Sequence, residues 1–370
     1  MVKILYIVST LKRSGPTNVL FNLIAELDPI QVTPIILTLS PEDEKFPNSR
    51  DAFLEIGVEI HSLSFSRLQG FLFAKRKIKE FVYNHNINVI HVMGFRGDLL
   101  INAGDFKNIT IISTLNSNIY DDYTMLYGKS KGKIMAYLQI NSLKGKVGIA
   151  CSQFVADKLN DKYDINLNVI YNGIPKKYYN LTSQEEKAQI VKQLQLPADK
   201  RTFIFIGSLI YRKDPLTVIK AFLNSKNFSN IHLVVLGDGP LMEECKNLCK
   251  DHMDSISFFG TQPETLKFLK AADYYLASAY SEGLPTSVME AMGCGLPVIL
   301  SDIDPHKELL KNINNWPYTF PVNSADILSA KINDILEDDY NSLSLQCRRV
   351  IEKHINSETM AQNYQRLYKQ

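Results

Sequence analysis

The sequence predicts an α/β protein of two doubly wound, Rossmann-like domains whose parallel sheets face each other across a cleft. Three observations carry this. A chain of 370 residues is long for one hydrophobic core, and two domains are the prior at that length. Short Ile- and Val-rich runs alternate with amphipathic stretches, which implies parallel strands covered by helices on both faces. The alternation breaks once into turn chemistry and then starts again, which places a boundary.

In the first half the expected strands are Ile4–Val8, Ile35–Leu39, Val89–Val92, Ile109–Thr114 and Val147–Ala150, each bounded by polar or glycine residues. Asn18–Leu27 has apolar residues at Leu20, Leu23, Ile24 and Leu27, a helical spacing. Asn172-Gly173-Ile174-Pro175 is the break, followed by polar sequence to about Lys200. Strands are then expected at Phe203–Ile206, His232–Leu236, Ser257–Phe259, Tyr274–Ala277 and Val298–Leu300. Ligands of such sheets bind beyond the carboxyl ends of the strands, and a cleft between domains is a favoured pocket.

Composition narrows the classes. Hydrophobic content of 45% with 22% charged residues is that of a globular protein. A formal net charge of +2 argues against nucleic acid as a partner. Five scattered cysteines read as free thiols in a reducing compartment, and Cys245 with Cys249 lacks the second pair of a zinc site. The N-terminal apolar run is short and unlike a secretory signal, and no apolar segment reaches membrane-spanning length. A cytoplasmic protein is expected, or one held peripherally on the inner face of the cell membrane.

The most informative stretch is Ser281-Glu282-Gly283-Leu284-Pro285-Thr286-Ser287-Val288-Met289-Glu290. It reads as a strand end, a Gly-Leu-Pro loop, and a helix opening near Thr286 or Ser287. A helix start offers unpaired N–H groups and a partial positive charge, which suits phosphate. Glu290, one turn in, is placed to reach a sugar hydroxyl beside the phosphates, and Glu282 points into the same cleft. Upstream, Gly207-Ser208-Leu209-Ile210-Tyr211-Arg212-Lys213 follows a strand. Its glycine permits close backbone approach, Arg212 can fork onto phosphate oxygens, and Lys213 acts as a compact charge. Gly237-Asp238-Gly239 and Gly260-Thr261-Gln262 are weaker signals, open between ligand contact and bare connection. Asp302-Ile303-Asp304 has the form of a metal-binding acid pair but trails the glutamate helix, and no metal site is expected there. A dinucleotide-dependent dehydrogenase is disfavoured, because no complete Gly-x-Gly-x-x-Gly follows the first strand.

In this order the motifs resemble the retaining glycosyltransferases of family 4, of the GT-B fold and the bacterial cell-surface polysaccharide type. The resemblance is densest from Phe203 to Glu308. It implies an acceptor-side domain at 1–172, a nucleotide-sugar domain at 173–350, and a C-terminal helix at 351–370 packing back on the first. It implies that Arg212 and Lys213 neutralise the donor diphosphate. The Ser287 and Val288 amides would bind the same phosphates, Glu290 the ribose, and Glu282 the transferred sugar, with Gly207, Gly260 and Thr261 also at the donor. Ser14-Gly15-Pro16 resembles the glycine-rich loop of the first domain, which implies that Gly15 lies at the donor phosphate and near the acceptor. Three positions depart: Ser208 stands where the family commonly has arginine, Gly15 is followed by proline, and Asn116 stands where many members carry histidine. An amide hydrogen-bonds but does not titrate, so a general base at Asn116 is in doubt while a donor or acceptor contact is not.

The reaction implied is a hexosyltransferase-type transfer (EC 2.4), metal-independent and without cofactor. It moves a sugar from a nucleotide diphosphate sugar, UDP-sugar being expected, to a saccharide hydroxyl, polyprenyl-linked in surface polysaccharide synthesis. Alternatives are a nucleotide-sugar 2-epimerase and a binding protein without turnover. Basic segments 71–79 (Lys75, Arg76, Lys77, Lys79) and 127–146 (Lys129, Lys131, Lys133, Lys144, Lys146) carry aromatic neighbours and suggest an anionic membrane surface as partner.

Overall fold

A computed structural model describes residues 1–43 and 47–370. The chain divides into two compact units, one of residues 1–173 with 357–370 and one of residues 174–356.

The first unit holds strands β1 (Val2–Val8), β2 (Val32–Thr38), β3 (Glu59–Ser62), β4 (Val89–Met93), β5 (Thr110–Leu115), β6 (Val147–Ala150) and β7 (Asn168–Val169). They form one sheet in the order β3-β2-β1-β4-β5-β6-β7, every pair parallel. Its helices are α1 (Gly15–Ala25), α2 (Arg50–Glu55), α3 (Arg67–Asn84), α4 (Phe95–Leu100), α5 (Ile119–Tyr127), α6 (Lys129–Ser142) and α7 (Gln153–Tyr163). The second unit opens with α8 (Gln184–Gln193) and continues through β8 (Arg201–Ile206), α9 (Pro215–Leu223), β9 (Ile231–Leu236), α10 (Met242–Leu248), β10 (Ile256–Gly260) and α11 (Leu266–Ala271). It is completed by β11 (Tyr274–Ala277), α12 (Thr286–Gly293), β12 (Val298–Ser301), α13 (Asp304–Leu310), β13 (Thr319–Phe320), α14 (Ala325–Glu337) and α15 (Tyr340–His354). Its sheet runs β10-β9-β8-β11-β12-β13, again wholly parallel. Helix α16 (Ser357–Tyr368) returns to the first unit and packs on α1. The boundary expected at residue 350 therefore falls inside α15, whose apolar stripe of Leu343, Cys347, Val350 and Ile351 keeps it in the second unit through residue 354.

Both sheets reverse their strand order once, between β1 and β4 and between β8 and β11. Neighbouring connections leave to opposite faces at such a point and open a crevice beyond the strand ends. The strands are buried on both sides: Ile4, Tyr6 and Ile36 belong to one core layer of the first unit, and Leu5, Ile7 and Ile90 to the other. Phe203, Phe205, Leu233, Val235, Leu276 and Ile299 form the matching layer of the second.

Helix α16 is tied down by a buried polar chain. His91 on β4 meets the Tyr368 hydroxyl at Nδ1 and the Thr114 hydroxyl at Nε2, both at 2.8 Å. Tyr6 donates to Tyr368 at 3.0 Å, and Thr114 lies 2.8 Å from the Tyr364 hydroxyl. Burial pulls His91 down to about 3, so the ring is neutral and acts as a spacer between hydroxyls.

Candidate active site

The site residues of the second unit gather at its strand-order reversal. Gly207 follows β8, and the chain then turns through Tyr211–Lys213 into a left-handed Asp214 (φ 48°) that caps α9 at the Thr217 amide. Helix α9 begins with Pro215, whose missing N–H costs nothing at a first helical position. The loop after β11 clasps this turn: Ser278 Oγ lies 2.7 Å from the Asp214 carbonyl, and the Tyr280 amide donates to the Arg212 carbonyl at 2.9 Å.

Within that frame three expected residues meet. Arg212 donates to Glu282 Oε2 at 3.1 Å and to the Ser281 carbonyl at 2.8 Å, and Lys213 pairs with Glu282 Oε1. Burial pushes the Glu282 carboxyl up, but Lys213 and Arg212 outweigh it and hold the group below its usual range. Two cations on one carboxylate leave a local excess of one positive charge. Both cations keep partial exposure, 18% for Lys213 and 24% for Arg212, so an incoming anion can reach them.

Helix α12 starts four residues after Glu282. Its N-cap is Pro285, no side-chain cap is formed among the described residues, and the first intrahelical bond runs from Met289 to the Pro285 carbonyl. The amides of Thr286, Ser287 and Val288 thus have no intrahelical acceptor. Ser287 Oγ is fixed by the Tyr275 hydroxyl at 2.8 Å. Glu290 is buried one turn on, where desolvation raises it to about 7 against a hydrogen bond from Tyr179. Gly295, in the left-handed region at φ +77°, ends the helix.

The glycine turns resolve into different roles. A Cβ on Gly237 (φ +131°) would sit 1.9 Å from the Gly207 carbonyl oxygen, and one on Gly239 would sit 2.5 Å from that of Leu209. Close packing of two strand-end loops accounts for this pair. Gly260, at φ +64°, faces open space, and Thr261 beside it is exposed. Ser208 is exposed too.

In the first unit, Gly15 is the first residue of α1, whose N-cap Ser14 lies 2.9 Å from the Thr17 hydroxyl. Ser14, Pro16 and Thr17 border an open hollow of about 260 Å³ with Ser9, Lys12 and Met93, at that sheet's own reversal. Asn116 follows β5 and accepts from Asn172 Nδ2 at 3.3 Å. The Asn172 Oδ1 atom is buried without a partner among the described residues.

Three residues near the site carried no sequence signal. Tyr275 lies mid-strand, and its proton is held tightly by burial, then by the charges of Glu282 and Glu290. Tyr179 reaches Glu290 from the polar linker. His306 on α13 is fully buried; its Nδ1–H donates to the Ser301 carbonyl at 2.8 Å, and Nε2 has no partner among the described residues. Burial lowers His306 to about 4, with Glu282 opposing.

Two basic segments were expected on the surface. Lys146 is not there: its side chain is fully buried against Asp98, bonding that residue's carbonyl at 2.7 Å. Desolvation is offset because Asp98 also accepts from Ser113 at 2.6 Å and from Gln139 at 2.7 Å. In segment 71–79, Lys75 pairs with Asp105, and Arg76 and Lys77 share Glu80; the Phe71 side chain lies outside the described residues.

Family models match nearly end to end. "Glycosyltransferase Family 4" matches residues 13–178, and "Glycosyl transferases group 1" matches residues 186–354. The chain belongs to glycosyltransferase family 4. This family 4 chain is 28% identical to an alpha-monoglucosyldiacylglycerol synthase of Streptococcus pneumoniae over 65% of its own length and 58% of the relative's. It is 24% identical to the O-antigen biosynthesis glycosyltransferase WclY of Escherichia coli, over 99% of the chain and 98% of the relative. Anabaena HepE, solved in complex with UDP and glucose, superimposes with a TM-score of 0.82 at 16% identity, covering both chains fully. That likeness establishes the GT-B fold of paired Rossmann-like domains. No helix among the described residues is long and apolar enough to cross a membrane.

Proposed function

We propose that this family 4 protein transfers a hexose from a UDP-sugar to a hydroxyl of a polyprenyl-linked saccharide in surface polysaccharide synthesis, with retention of anomeric configuration and without a divalent metal. The observation that carries the reading is the convergence of Arg212 and Lys213 on Glu282, four residues before the uncapped N-terminus of α12.

As the bond between the anomeric carbon and the diphosphate oxygen breaks, negative charge builds on the departing diphosphate. Arg212, Lys213 and the first amides of α12 are fixed donors aimed at that charge. Each such donor lowers the barrier by about 2.7–4 kcal/mol. The anion takes over part of the cationic pairing, which leaves Glu282 free to contact the sugar. Glu290 holds the ribose hydroxyls. The acceptor oxygen bonds to the anomeric carbon on the face the diphosphate leaves, and its proton passes to a diphosphate oxygen. No protein nucleophile is needed, in keeping with an amide at Asn116. Gly15 contacts the donor phosphate, and the hollow beside it serves the acceptor.

The membrane-facing element is the α5–α6 hairpin. Leu126, Ile134 and Tyr137 are each at least 60% exposed, and Met125, Tyr127 and Leu138 are exposed beside them. None of Lys129, Lys131, Lys133 and Lys144 pairs with a carboxylate among the described residues. Apolar side chains interleaved with lysines that no carboxylate neutralises suit an anionic bilayer, at about 1 kcal/mol per lysine.

A thermal-shift screen across nucleotide sugars, followed by transfer assays with the best binder, tests the reaction. Stabilisation by a UDP-sugar with transfer to a lipid-linked acceptor is expected. Free epimer formation, or binding without turnover, would overturn it. Flotation with anionic vesicles at low salt tests the hairpin, and failure to float would end that part of the reading.

A further inference from the structure

We propose that Glu59, His61 and His85 form a binding site for a late first-row divalent cation, with zinc as the reference ion, on the outer edge of the first unit's sheet. One ligand atom from each of the three lies within 4.8 Å of the others.

The sequence brings them together by two short-range rules. Glu59 and His61 are two apart on β3, so they share one face of the strand. Among the described residues strand β3 is outermost in the sheet and pairs with β2 alone, and its face toward α3 is only partly covered: Glu59 is exposed, and His61 and His85 are half-buried. His85 arrives as the C-cap of α3. The C-terminal end of an 18-residue helix carries partial negative charge, which favours a cation there.

The imidazoles are already oriented. The His85 Nδ1 atom lies 2.9 Å from the Phe81 carbonyl, an acceptor only, so Nδ1 carries the proton and Nε2 presents its lone pair. A backbone carbonyl fixing the tautomer from behind is the usual outer support of a metal-bound histidine. Phe81 also holds both rings, stacking on His85 at 3.8 Å and meeting His61 edge-on at 4.8 Å. The two imidazoles stand 5.4 Å apart, centre to centre. His61 Nε2 faces Glu59 Oε1, a hydrogen bond that a metal at Nε2 would replace, with the proton of the neutral ring carried on Nδ1 instead.

Two histidines and one carboxylate are the donor set of a zinc ion that keeps a position for water. Metal–ligand bonds of about 2.0–2.2 Å draw ligand atoms to within about 4 Å of each other, a small side-chain rotation from the present spacing. Lys3 works against affinity: its ammonium lies 3.1 Å from the His85 carbonyl and offsets the charge of Glu59. An affinity in the micromolar range is expected, well short of a structural zinc site.

The test is calorimetric titration of the metal-free full chain with zinc chloride, with the same titration of His61→Ala, His85→Ala and Glu59→Gln. One saturable site per chain is expected, weakened at least about tenfold by each histidine change. Absence of a saturable site below about 1 mM, or wild-type affinity in His85→Ala, overturns the proposal. Circular dichroism checks that the variants fold, and the thermal midpoint supplies a second readout. Zinc should raise it in the wild type, reversibly with EDTA, and not in the His61→Ala/His85→Ala double variant; an equal rise in both also overturns it.

Discussion

Asp98 in the first unit and Glu282 in the second are both buried acids that pair with a lysine. Asp98 has one cation, Lys146, and both side chains are fully enclosed. Burial pushes the aspartate up and the lysine down, against their mutual attraction. Glu282 has two cations, and together they overcome burial and keep it ionised. The first pair is shut off from solvent, with Ser113 and Gln139 taking the remaining acceptor positions of Asp98. The second remains open on the cationic side. An enclosed pair holds a fold together; a pair with surplus charge and partial exposure is available for binding.

The contrast can be broken at either end. Lys146→Ala should cost the most, about 3–5 kcal/mol, because it strands a buried carboxylate; urea unfolding measures this, and a loss under about 1 kcal/mol would mean the pair is not enclosed. Lys213→Ala and Arg212→Ala should each lower kcat by about 10²–10³ in sugar transfer, with unfolding free energy nearly unchanged since the other cation still holds Glu282. Equal losses of stability at Lys213 and Lys146 would erase the distinction.

Glu290 sharpens the comparison as a buried acid with no cation paired to it among the described residues. Its pKa is raised from an ordinary 4.5 to about 7 by burial, so the folded protein keeps a proton that the unfolded chain releases. Its destabilising contribution therefore grows as pH rises through that window. The thermal midpoint should fall between pH 5 and 8, and Glu290→Gln should flatten that fall. Ribose binding by the carboxylate predicts the opposite trend for the donor, with KM decreasing as pH passes about 7, and no such trend in the Gln variant. The smallest effect belongs to Asp302, exposed beside Lys307 at 3.9 Å. Asp302→Asn and excess chelator should each leave transfer within about twofold, and metal-reversible loss would require a different chemistry.

Central strands were legible because burial on both faces demands continuous Ile, Val and Leu runs, as in Ile4–Val8 and His232–Leu236. The edge strands β3, β7 and β13 were not, since Glu59–Ser62 has a single apolar residue, Ile60, and the other two are only two residues long. At the site, the meeting of Arg212 and Lys213 with Glu282 could be anticipated from two strand-end motifs in one sheet. Tyr179, Tyr275 and His306 could not, because each is recruited by tertiary packing from sequence that looks like linker, strand or helix. Lys146 misled for the converse reason: a lysine in a basic run reads as surface, and only the fold supplies Asp98.

Arg348 on α15 joins the far end of the glutamate helix to the linker. Its guanidinium donates to the carbonyls of Tyr179 and Gly293 and, at 3.2 Å, to that of Lys176. Since Tyr179 reaches Glu290, the posture of that glutamate depends on a fork 58 positions downstream. Anyone grafting C-terminal helices between relatives is thereby also exchanging the brace behind Glu290, and a lysine at the graft would hold one carbonyl where the native residue holds three.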